Sequence, residues 1–214
     1  MSEQPSIRER YTEQTRRTIL LAVAECMESD PDRDFSMSQV AARAGVSVRT
    51  VFRHFASRDE LVSAFGAWYE QEMLPFQPLA SVHQLPDVFA RSAREMHRRP
   101  ALSRAIAMSS VGRDAMTGFN ALVLHQLQDA VETEFAAATE AERRRLVAGL
   151  HYLDSITSYV VLHDDLGLSG DEVGEVVGWM MRLAIGATSA VATPVATAAG
   201  GAATRNEDQK EWPA

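Results

Sequence analysis

The sequence predicts an all-α fold in which a small three-helix head with a helix-turn-helix precedes a larger helical domain. Three observations carry the fold class. Apolar residues recur at helical spacing along most of the chain, and no alternating strand pattern of useful length interrupts them. Serine or threonine followed three residues later by Glu or Gln opens segment after segment: Ser36 with Gln39, Ser57 with Glu60, Thr139 with Glu142, Ser169 with Glu172. A chain of 214 residues has room for one small and one larger unit.

From about Thr12 to Glu28, Ile19, Leu20, Val23 and Met27 form an apolar stripe, with Arg16 and Arg17 on the other side, free to reach phosphates or simply to face water. The cluster Ser29 to Asp34 ends this helix. The next segment spans 36–55. Ser36 caps a short helix, Gly45 provides the left-handed residue of a tight turn, and Ser47 caps a second helix with Val48, Val51 and Phe55 recurring at helical spacing. Arg49 with Arg53, and Thr50 with His54, fall four apart on the opposite side. Ser57 then opens a helix carrying Leu61, Ala64, Phe65 and Trp68, which Pro75 and Pro78 stop.

Behind the prolines, Leu85, Val88, Phe89 and Met96 define one helix, Leu102 and Ile106 a shorter one, and Met116 through Val131 a long one. Thr139 caps a further helix that reads continuously through Leu146, Leu150, Leu153 and Val160, with Tyr152, Ile156 and Tyr159 on a second side. Ser169 caps a last one through Val173, Val177, Met180 and Ala184. Two broadly apolar helices at the end suit a two-fold four-helix interface between subunits. The expected boundaries are a head at 13–73, a body at 79–192 and a disordered tail at 193–214.

Charge singles out the turn. The formal net charge is −8, yet four arginines and no acid lie between Phe35 and Arg58. Such a positive window is what a phosphate backbone attracts. One cysteine, Cys26, permits no internal disulfide. Its neighbours Val23 and Met27 suggest a buried structural thiol. A polar amino terminus without a secretory pattern, and an Ala/Thr-rich segment at 183–203 broken by Pro194, Gly200 and Gly201, point to a cytoplasmic protein with no membrane partner.

The run from Gln39 to Leu61 resembles the DNA-binding domain of TetR-family transcriptional regulators. The residues that carry the resemblance are Val40-Ala41, Ala44-Gly45-Val46-Ser47, Thr50-Val51-Phe52-Arg53-His54-Phe55 and Asp59-Glu60-Leu61. It implies a homodimeric repressor on double-stranded DNA, with an inverted-repeat operator and release by a small apolar or amphipathic effector. Carried over by position, Val48, Arg49, Thr50, Phe52 and Arg53 are expected to face bases, and Ser36, Ser47, Thr50, His54 and Arg58 to face phosphates. Arg49 stands where many members carry glycine. Phe52 stands where tyrosine is common and lacks the hydroxyl that would bond a phosphate.

For the effector pocket, Met108, Met116, Phe119, His125, Tyr152, Tyr159 and Trp179 are candidates, each equally readable as plain core. Two other readings compete. A constitutive repressor would use the large domain only to dimerise. An enzyme lacks support, because His97, His125, His151 and His163 show no metal-binding spacing, and neither a phosphate-cradling glycine loop nor a nucleophile elbow occurs. No catalytic residue, metal ligand or cofactor is therefore expected.

Overall fold

The computed structural model describes residues 6–30, 34–74 and 78–192, and every regular element among them is helical. The head comprises α1 (Ile7–Ser29), α2 (Met37–Arg43), α3 (Val48–His54) and α4 (Arg58–Met73). After a 3-10 turn (Val82–Gln84), the body comprises α5 (Leu85–Arg98), α6 (Pro100–Met108), α7 (Ser110–Glu134), α8 (Glu140–Leu153), α9 (Ile156–Leu166) and α10 (Gly170–Ala192). The all-α class is the one the periodicity predicts. The breaker residues Pro31 and Pro75 and the tail at 193–214 lie outside the described residues.

Helix α1 starts five residues before the apolar stripe does. Ser6 and Glu9 form a reciprocal capping box, Ser6 N donating to Glu9 Oε2 at 2.7 Å and Glu9 N to Ser6 Oγ at 3.2 Å, and this extends the helix into a polar stretch that periodicity misses. The head closes on Ile19, Val23, Val40, Val51, Phe55, Leu61 and Phe65, all fully buried. Each such side chain contributes roughly 1.5–3 kcal/mol by burial.

Two elements of the head also reach the body. Helix α4 packs on α7 so closely that a Cβ at Gly66 would stand 2.0 Å from the Ala115 carbonyl oxygen. Only glycine fits at that crossing. Helix α1 packs on α6, and its Glu28 forms a bidentate pair with Arg99 at the α5–α6 corner.

In the body, α10 runs along α5 and buries Val173, Val177, Met181 and Ile185. The helix expected to continue from Leu146 through Val160 is two helices. Ser155 and Ser158 hydroxyls both donate to the Tyr152 carbonyl, at 2.8 and 2.9 Å, and Ser155 Oγ accepts from Ser158 N. These local bonds satisfy the backbone without the intervening turn, so capping overrides an apolar spacing that would have allowed one helix.

Candidate nucleic-acid interface and the cavity behind it

The turn motif is built from local bonds that its sequence dictates. Ser36 Oγ accepts from Gln39 N at 3.2 Å while Gln39 Oε1 accepts from Ser36 N at 2.8 Å, which fixes the start of α2. Gly45 takes φ of 66°, the left-handed conformation that turns the chain toward α3. Ser47 Oγ accepts from Thr50 N at 3.1 Å, and the two hydroxyls lie 2.8 Å apart. Val51 and Phe55 are buried beneath α3, and that burial fixes which side of the helix faces outward.

On the outward side stand Val48, Arg49, Phe52 and Arg53, all exposed. Phe52 is 48 % accessible, an unusual position for a phenyl ring on a helix with a core side available. No hydrogen bond or ion pair holds Arg49 or Arg53 among the described residues. Ser36 and Ser47 are exposed at the two helix starts, and Thr50 is half-exposed.

Four other arginines of the head have internal work. Arg16 lies over the Phe55 ring, 4.5 Å from its centroid, and donates to the His54 carbonyl at 3.5 Å. Arg17 pairs with Glu72 at 2.9 Å, and Arg43 approaches Glu25 at 3.9 Å. Arg58 is half-buried. Its guanidinium sits over Phe35, Nε donates to the Phe35 carbonyl at 3.3 Å, and Asp34 stands 3.5 Å away. His54 is half-buried too, with Nε2 shut away from solvent and without a partner. Burial first, then Arg53 and Arg16, holds its pKa below the ordinary histidine range, so it is neutral near pH 7. Arg58 and His54 are thus half-buried and packed within the head, where the resemblance expects both to face phosphates.

Residues 19–65, from the second half of α1 to the first half of α4, match the family described as bacterial regulatory proteins, tetR family. Over these residues the head is similar to the tetR-family regulators. Two solved structures of NalD from Pseudomonas aeruginosa, titled as the secondary repressor of the MexAB-OprM multidrug efflux pump, share the fold across head and body. One is 21 % identical, with a TM-score of 0.58 over 80 % of this chain and 96 % of that one. The other is 19 % identical, with a TM-score of 0.56 over 81 % and 96 %. No curated protein sequence matches the chain.

Behind the head, Leu74 just past α4, together with α5, α6, α7 and the α8–α9 joint, lines a cavity of about 320 Å³. Of the pocket candidates, Met116 and Phe119 line it. Met108, His125, Tyr152 and Trp179 are exposed elsewhere. Tyr159 is buried in the core, its hydroxyl 3.1 Å from His97 Nδ1 and its ring stacked on His163. Their helical spacing was a core or surface signal. Folding also sets the His97 and His163 rings 5.1 Å apart, a proximity that sequence spacing does not reveal.

The lining also includes polar residues the sequence did not single out: Ser92, Asn120, Gln126 and Asp154. Gln126 Oε1 accepts from Leu79 N at 3.1 Å. Asp154 differs from these, because burial pushes its carboxyl up to about 7. A carboxylate is a strong sequence signal only when its surroundings are known, and here they come from helices far apart in the chain.

Proposed function

We propose that the protein is a homodimeric, sequence-specific DNA-binding transcriptional repressor that a small apolar or amphipathic effector releases from an inverted-repeat operator. One observation carries the DNA reading: α3 presents Arg49 and Arg53 outward with no hydrogen-bond or ion-pair partner among the described residues, whereas Arg16, Arg17, Arg43 and Arg58 are engaged. A guanidinium left free on a capped helix of a helix-turn-helix matches the O6/N7 edge of guanine, and a bidentate contact of that kind discriminates by roughly 1–3 kcal/mol. Val48, Thr50 and Phe52 add contacts on the same helix. Ser36 and Ser47 offer hydroxyls and helix starts to the phosphates.

Dimerisation brings two such helices to one duplex. Helix α10 buries one side on α5 and leaves Val176, Trp179 and Leu183 exposed on the other, while Tyr152 is exposed on α8 beside it. Residues three and four apart on one helix form a continuous apolar strip, which a second copy would cover. The cavity in the body supports effector control over constitutive repression, since a ligand that fits one head placement better shifts the population of DNA-competent dimers.

The test is a gel shift on an operator selected from genomic fragments at fixed salt. Arg49→Ala with Arg53→Ala abolishes sequence preference while circular dichroism and dimer mass stay unchanged. A double variant that keeps its preference defeats the assignment.

A further inference from the structure

We infer that the body cavity takes an amphipathic amine, its apolar part among the side chains of α5 and α7 and its ammonium against the carboxylate of Asp154. The inference rests on the reading of the cavity as an effector site and names the class of molecule that the site selects.

The walls are chiefly apolar, with Val88, Met96, Met116, Phe119 and Leu127 among them. Asp154 borders this space at the end of α8, and its carboxylate has neither a hydrogen bond nor an ion-pair partner among the described residues. The serines next to it are committed to the Tyr152 carbonyl and to the start of α9. An ionised carboxylate with no donor in apolar surroundings is costly, which accords with the upward shift of this group.

Arg113 is the other charged side chain on the lining. Its Nη1 donates to the Met108 carbonyl at 3.2 Å, and it makes no ion pair with Asp154. The cavity is therefore bordered by an acidic group that the cations among the described residues leave unpaired. An ammonium brings up to three charge-assisted donors to such a group, while a neutral headgroup brings weaker ones and a carboxylate is repelled by the ionised form. The net charge of −8 adds a long-range attraction for cations.

The test uses three probes with one apolar body: decylamine, decanol and decanoate, titrated calorimetrically into the full-length protein at pH 8. Decylamine is expected to bind about tenfold tighter than decanol or better, and decanoate more weakly than decanol. Asp154→Asn brings decylamine to the level of decanol and leaves decanol unchanged. Because decylamine stays cationic throughout, its affinity for the wild type falls about tenfold from pH 8 to pH 6 as Asp154 takes up a proton, and the Asn variant loses that dependence. Equal binding of decylamine and decanol, or an amine preference that survives Asp154→Asn, overturns the inference while leaving the cavity as an effector site. Failure of all three probes to bind overturns it together with the effector-site reading.

Discussion

Removing the charge of Glu28 tests how firmly the head is fastened to the body. Arg99 Nε and Nη2 donate to the two Glu28 oxygens at 2.8 and 2.7 Å, and both side chains are only 26 % accessible. Hydrogen bonds to charged groups contribute about 1.5–3 kcal/mol when buried, and exposed ion pairs about 0.2–1. A bidentate pair at this burial lies between these limits, so a coupling of about 1–2 kcal/mol is expected. Glu28→Gln leaves Arg99 half-buried and unpaired, and should cost about 1.5–2.5 kcal/mol. For a chain of this size each kcal/mol lowers Tm by about 2–4 °C. Urea unfolding of the wild type, Glu28→Gln, Arg99→Gln and the double variant measures the coupling directly. Losses that add to within about 0.3 kcal/mol would refute the reasoning, because independent sites add and a shared bond does not. The same bridge joins the α5–α6 corner to α1, whose Arg16 holds the end of α3. If α1 relays the state of the cavity, the double variant also binds DNA with a weaker response to effector.

Gly66→Ala gains about 1 kcal/mol of helix propensity but drives a Cβ into the Ala115 carbonyl, so a net loss of about 2–4 kcal/mol is expected in chemical denaturation. Asp154 titrates near 7 when folded and near 3.8 when unfolded, so the native state binds more protons in between and stability falls as pH rises through that window. Asp154→Asn removes this loss: the variant gains on the order of 4 kcal/mol over the wild type at pH 8 and little at pH 4, measured as ΔG of unfolding against pH. Phe52 is exposed on α3, so Phe52→Tyr leaves Tm unchanged and strengthens operator binding severalfold by adding a phosphate donor, read by fluorescence anisotropy at fixed salt.

The parts of the molecule that were legible in the sequence are those whose structure is decided within four residues. Ser36 finds Gln39, Gly45 turns, Ser47 finds Thr50, and each outcome depends on atoms already adjacent along the chain. The head and the outward stance of Arg49 and Arg53 follow from those bonds and from the burial of Val51 and Phe55. The cavity is a different kind of object. Val88, Met96 and Leu127 read as ordinary core periodicity, and whether such residues meet or stand back to leave 320 Å³ between them depends on helix crossings that no local spacing encodes.

Tyr152, Tyr159 and Trp179 drew attention for their size, yet one is core and two face outward, because aromatic bulk alone does not tell a wall from a packed interior or an exposed surface. Asp154 escaped notice for the opposite reason. It lay within what read as a continuous helix, and only the Ser155 and Ser158 bonds that end that helix place it at the edge of the cavity. The same local chemistry that made the head readable thus hid the one acidic group of the cavity, since a capping serine competing with an apolar repeat can be weighed only once the packing of both helices is known.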